Sequence, residues 1–123
     1  MLTLEEILDD VGESPAFRDV NNIGVNCRGS NEVTPLHWIA TLGDVDGIRI
    51  LTSEGAVLDA TDSFGNTPLH ESIACRQVAA TKLLIELGAN RNLKNHENLT
   101  PEDIALSDGF LPMIELLGIK KPE

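Results

Sequence analysis

The 123-residue chain carries 20 Asp and Glu against 9 Lys and Arg, a formal net charge of −11. That balance argues against a nucleic-acid partner, whose phosphates attract basic patches; it suits either a basic protein surface or plain solubility. Hydrophobic residues make up 41% but aromatics only 3%, with no Tyr, so Ala, Leu, Ile and Val must fill the core. Such a composition fits closely stacked small helices better than a large catalytic interior.

The start, Met1-Leu2-Thr3-Leu4-Glu5-Glu6, is acidic and has neither the basic region nor the apolar core of a signal peptide. No apolar run is long enough to span a membrane. Thr3 with Glu6 forms a capping-box pattern, and Leu4, Ile7, Leu8 and Val11 keep helical spacing. Gly12 suits a left-handed exit, and Ser14-Pro15 predicts a second helix with Ser as its cap and Phe17 and Val20 buried. Glu5, Glu6, Asp9, Asp10, Glu13 and Asp19 cluster against Arg18 alone. A solvated outer face accounts for the cluster; a docking site for a basic partner is the alternative.

From residue 34 the chain repeats itself. Thr34-Pro35-Leu36-His37 returns 33 residues later as Thr67-Pro68-Leu69-His70, and Thr100-Pro101 marks a third copy after the same interval. A threonine hydroxyl can cap a helix whose first turn takes the proline. In the first copy Leu36, Ile39 and Ala40 give a narrow packing face, Gly43-Asp44 turns the chain, and Ile48, Ile50 and Leu51 serve a second helix that Gly47 weakens slightly. Gly55-Ala56 ends that helix, and Asp59, Asp62, Ser63, Gly65 and Asn66 form a turn-rich loop. The second copy follows in register, with Leu83-Leu84-Ile85 and then Gly88-Ala89-Asn90. Arg76 stands where the other copies have Gly43 and Gly109, so that turn is expected to be strained or differently shaped. In the third copy Glu102 and Asp103 replace Leu and His, Asp103 can still cap, Ala105 keeps the small packing position, and Leu116-Leu117 align with Leu83-Leu84.

A 33-residue period carrying T-P-L-H resembles the ankyrin repeat. The resemblance implies an all-α solenoid of stacked helix–turn–helix units with β-hairpin-like finger loops. Its expected division is an N-terminal cap or degenerate repeat at 1–33, repeats at 34–66 and 67–99, a truncated C-terminal capping repeat at 100–118, and a polar tail at 119–123. The degraded last copy and the distinct first unit speak against a fragment of a longer array. In ankyrin-like stacks the motif histidine links to neighbouring loop backbone, and its loss at Asp103 fits a terminal unit.

Three side-chain groups invite an enzymatic reading. His37 and His70 recur at one repeat position and lie roughly 10 Å apart, one helix-packing distance, too far to share a zinc ion. His70-Glu71 opens a metalloprotease-like pattern, but position 74 is Ala. Cys75 lies five residues from His70 with no orienting Asp or Asn evident, and a buried or half-buried cysteine is far commoner than a nucleophile. Cys27 falls in a loop and Cys75 on a helix, which favours neither a disulfide framework nor a metal site. No Gly-rich phosphate loop is present. No catalytic, metal or cofactor residue is assigned.

The resemblance implies binding along a strip of finger tips and first-helix faces. Its candidate residues are Asn31, Val33, Trp38, Leu42, Ser63, Phe64, Asn66, Glu71, Cys75, His96 and Glu97. Phe64, an aromatic at a turn tip, is either folded back onto the stack or offered as an anchor. Trp38, Glu71 and Ile104 follow the motif histidine position and form a row; Trp38 either packs on the first unit or serves as a hot spot beside Glu71. The expected function is a protein–protein interaction module, acting alone or as a regulatory subunit, in the cytoplasm and monomeric when free. Its expected partner is another protein, with a basic surface to match the acidic charge, and neither nucleic acid nor membrane is involved. An acidic immunity-type inhibitor of a basic toxin or enzyme is the alternative, and an enzyme using His70, Glu71 or Cys75 the third.

Overall fold

The computed structural model describes residues 2–21 and 23–119. Lys120 to Glu123, which make up most of the expected tail, lie outside the described residues. The helices are α1 (Leu4–Glu13), α2 (Pro35–Leu42), α3 (Val45–Ser53), α4 (Pro68–Ala74), α5 (Val78–Glu86), α6 (Pro101–Asp108) and α7 (Leu111–Leu117), and there is no strand among the described residues.

Each T-P motif starts a helix by the same local chemistry. Thr34 Oγ1 accepts the His37 amide at 3.3 Å, and His37 Nδ1 accepts the Thr34 amide at 3.2 Å. Thr67 and His70 repeat the pair at 3.3 and 3.1 Å. Thr100 and Asp103 repeat it at 3.2 and 2.9 Å, so the carboxylate replaces the imidazole as the returning acceptor. Two otherwise orphaned amides are satisfied at every start, and proline in the first turn has no amide to lose.

The helices pair as antiparallel hairpins, α2 with α3, α4 with α5 and α6 with α7. First helices stack as α2–α4–α6 and second helices as α3–α5–α7, with α1 against both α2 and α3. The first-helix row packs more extensively than the second. Leu36, Ile39, Leu51, Leu69, Ile73, Leu84 and Met113 form one continuous core along its length. Leucine- and isoleucine-sized side chains do this work, and Phe17 is the only fully buried aromatic among the described residues.

Three sequence expectations change. Gly12 is not a left-handed exit: α1 runs through it to Glu13, and a Cβ there would meet Ile23 Cγ1 at 3.3 Å, so the glycine makes room for a packed side chain. Ser14 does not cap a second helix; its hydroxyl turns back to Val11 O at 2.7 Å, and Pro15–Phe17 form a single 3-10 turn. The Asp19-Val20-Asn21 stretch that follows is a weak helix former; Phe17 is buried as expected, whereas Val20 is only half-buried. The Arg76 turn is not differently shaped: its φ of 58° matches the 71° and 72° of Gly43 and Gly109. Arg76 holds this left-handed geometry with a bidentate pair to Asp108, at 2.9 and 3.1 Å, and a guanidinium 4.9 Å from the Phe110 ring centre.

Candidate functional site

The finger loops are built before any partner arrives. Asp62 Oδ1 accepts the amides of Phe64 and Asn66 at 2.9 and 3.0 Å, and Asn95 Oδ1 does the same for Glu97 and Leu99. These are side-chain turns of the kind that aspartate and asparagine favour. The tips then join across units: the Ser63 amide donates to Asn31 O and the His96 amide to Phe64 O, each at 2.9 Å. Gly65, at φ 78°, lets the fingers approach this closely, since a Cβ there would stand 2.9 Å from the His96 nitrogen.

The histidines lock finger to helix. His37 Nε2 donates to Asn66 O at 2.7 Å, and His70 Nε2 donates to Leu99 O at 3.0 Å. With each Nδ1 accepting from the threonine amide, the ring is fixed as the neutral Nε2–H tautomer. Burial pulls both pKa values below 6.5, against the raising effect of the backbone bonds. Both nitrogens of His70 are occupied, so it has none free to act as a base toward Cys75. The Cys75 thiol is exposed, and partial desolvation together with Glu71 pushes its pKa up, the opposite of an activated nucleophile. Among the described residues no three His, Cys, Asp or Glu side chains gather as a metal site.

The structure sorts the candidate binding residues by what their side chains already do. Asn66 accepts from Asn95 Nδ2 at 2.9 Å, and Ser63 Oγ donates to Asn31 O at 3.0 Å, so these polar groups hold fingers together. Leu42 and Phe64 are each 55% exposed, which settles Phe64 as an outward-facing ring. Cys75, His96 and Glu97 are exposed as well. Trp38 packs on the core yet remains half-exposed, and with Ala16, Val33, His37, Thr41 and Glu71 it lines a cleft of about 180 Å³. Glu71 is half-buried there, and desolvation, with Asp62 as a lesser cause, raises its carboxyl above the usual range. Further along, Ala74, Leu99, Ile104, Ser107 and Asp108 line a more open hollow.

Sequence reasoning missed two tethers between units. Arg28 donates to Glu32 O at 2.9 Å and Thr61 O at 2.6 Å, and Gln77 Nε2 reaches Thr41 O at 2.9 Å. Asn26 and Asp59 share a repeat position and do the same work in the structure, accepting the amides of Val57 and Asn90 at 2.8 and 2.9 Å. That recurrence was the available signal.

Helix pairs stacked on a 33-residue period, capped by T-P-L-H and joined through histidine to the next finger, define a helical repeat scaffold with a preformed surface. The family description "Ankyrin repeats (3 copies)" matches residues 6–95 and 36–122. The chain belongs to the ankyrin repeat family. It is 36% identical over 73 residues to the human transient receptor potential cation channel subfamily A member 1, a match covering 58% of this chain and 6% of the channel. It is 42% identical over 62 residues to a putative ankyrin repeat protein of Rickettsia bellii, covering 50% of this chain and 26% of that protein. A human SH3 and multiple ankyrin repeat domains protein 2 is 29% identical over 93 residues, 76% of this chain and 5% of its own length. The chain thus spans about a quarter or less of these relatives. Ankyrin repeats are protein–protein interaction modules, and no helix among the described residues is long and apolar enough to cross a membrane.

Proposed function

We propose that this chain binds a partner protein on the face made by the finger tips and first helices. The observation that carries the reading is the joined row of fingers, cross-linked by backbone hydrogen bonds and presenting Phe64 at 55% exposure, with Leu42 at the end of α2 equally exposed. A surface already ordered loses little entropy on docking, so apolar anchors there contribute more of their burial to affinity. In this reading residues 1–33 cap one end and 100–118 the other, the binding strip runs between them, and the module works in the cytoplasm as an adaptor or regulatory subunit rather than as an enzyme.

A second reading is favoured by α1, where Glu5, Glu6, Asp9, Asp10 and Glu13 are all exposed. It makes the chain an acidic inhibitor that meets a basic toxin or enzyme end-on. The two readings part in one experiment. The tagged protein is copurified with its partner from its native source, in parallel with Trp38→Ala/Phe64→Ala and with Glu5→Gln/Asp9→Asn/Asp10→Asn. Loss of the partner only in the aromatic variant supports the strip; loss only in the α1 variant overturns it in favour of the acidic end.

A further inference from the structure

Most carboxylates that face the stack are already engaged. Asp44 accepts the Gly47 amide, Asp59 the Asn90 amide, Asp62 two finger amides and Asp103 the Thr100 amide, while Asp108 and Glu102 pair with Arg76 and Arg91. Glu71 stands apart. It is half-buried on α4, its carboxylate has no hydrogen-bond or ion-pair partner among the described residues, and the charge acting on it is a like charge, Asp62. Desolvating a carboxylate without a donor is costly, so a group held this way is poised for a cation that arrives from outside.

The surroundings specify the cation. The cleft is about 180 Å³, below the roughly 300–1,000 Å³ of small-molecule pockets, and takes the end of one side chain. Its walls are Ala16, Val33, His37, Trp38 and Thr41, with Glu71 as the sole carboxylate of the lining. A metal ion needs several oxygen ligands, and this lining offers one carboxylate. A guanidinium is planar, weakly hydrated and able both to stack on an indole and to fork a carboxylate, whereas a lysine ammonium holds its water more tightly.

We propose that the Trp38–Glu71 cleft seats one arginine side chain of the bound protein, stacked on the indole and paired with the Glu71 carboxylate. This rests on the docking face described above and names what it selects. The formal charge of −11 draws basic partners toward the chain in general; the cleft turns that attraction into recognition of a single residue. Protonation of Glu71 removes the counter-ion, so the seat strengthens as pH rises through the Glu71 titration, with Asp62, Cys75 and the buried His37 as the other titratable groups around it.

The test titrates the full chain with N-acetyl-arginine amide, its lysine counterpart and the neutral citrulline counterpart, reading Trp38 fluorescence and amide shifts on α2 and α4. The arginine derivative gives a saturable millimolar response, the lysine derivative a several-fold weaker one, and citrulline none. Glu71→Gln loses the response while melting at or above the wild-type temperature, because an uncharged amide relieves the desolvated charge; Trp38→Leu loses it as well. An equal response to citrulline, stronger binding of lysine, or full binding by Glu71→Gln overturns the seat. Loss of the arginine response while a partner still docks on the strip removes the seat and leaves the docking face standing. An arginine response with the partner docked elsewhere overturns the docking face instead.

Discussion

One buried pair offers a direct test of how the two helices of a unit are held together. Ile39 and Ile48 are fully buried in one unit; the equivalent positions 33 residues later hold Ser72 and Thr81, and in the next unit Ala105 and Ile114. Ser72 Oγ donates to Leu69 O at 3.1 Å, so its remaining bond, to Thr81 Oγ1 at 2.8 Å, has Thr81 as donor. Both residues are 0% exposed. Ser72→Ala therefore strands the Thr81 hydroxyl in the core, at about 1–3 kcal/mol. Thr81→Val keeps the volume and leaves the Ser72 donation in place, at about 1 kcal/mol. Removing both hydroxyls leaves no orphan, so the double variant loses no more than Ser72→Ala alone, a coupling of about 1 kcal/mol or more. Urea unfolding followed by far-ultraviolet circular dichroism and Trp38 fluorescence reads all four proteins. Losses that simply add, or a Thr81→Val variant worse than Ser72→Ala, refute the assignment of donor and acceptor.

The same geometry fixes three further outcomes. Burial holds His37 and His70 below their ordinary 6.5, so their contribution to stability is complete above that pH and is lost as pH falls toward the folded-state values; the melting temperature should fall from about pH 6.5 downward, and a His37→Gln/His70→Gln protein should show a flatter profile in that window. Glu71 acts in the opposite sense, its raised carboxyl adding stability as it protonates on the way down toward 4.5, so the histidine loss is measured most cleanly in Glu71→Gln. Arg76→Ala keeps the left-handed turn without its ion pair and melts below Arg76→Gly, with the gap persisting in high salt, where the Arg76–Asp108 pair is screened; equal melting temperatures would show the turn to be unstrained. Gly65→Ala costs about 1–2 kcal/mol through its positive φ alone and also pushes the second and third fingers apart, read as lost protection of the His96 amide in hydrogen exchange.

Much of the architecture was legible because the chemistry that starts each helix is local and repeats. Thr34, Pro35 and His37 act within one turn, and their return 33 residues later sets the stacking register. Gly12 misled because a glycine needed for left-handed φ and one needed for close approach look the same in sequence; Ile23 on the facing chain decides between them. The shape of the Arg76 turn was hidden for a similar reason, since its compensation comes from Asp108, 32 residues away. The tip-to-tip bonds from Ser63 to Asn31 and His96 to Phe64 join backbone to backbone and leave no side-chain signature. At the candidate site the sequence pointed to Trp38, Phe64 and Glu71, whereas the desolvation of Glu71 and the commitment of Asn66 and Ser63 to neighbouring fingers emerge only when the units stack.

Whether the fingers and first helices form the docking face is tested most directly by photo-crosslinking. The crosslinking residue is placed at Leu42 or Phe64 on that face, at Lys82 or Glu86 on α5, or at Asp9 on α1, because all five positions are exposed and none is a core side chain. With the partner present, adducts should form from Leu42 and Phe64 and be absent from the α5 positions. Adducts from Lys82 and Glu86, or from Asp9 alone, with Leu42 and Phe64 silent, would contradict the docking face.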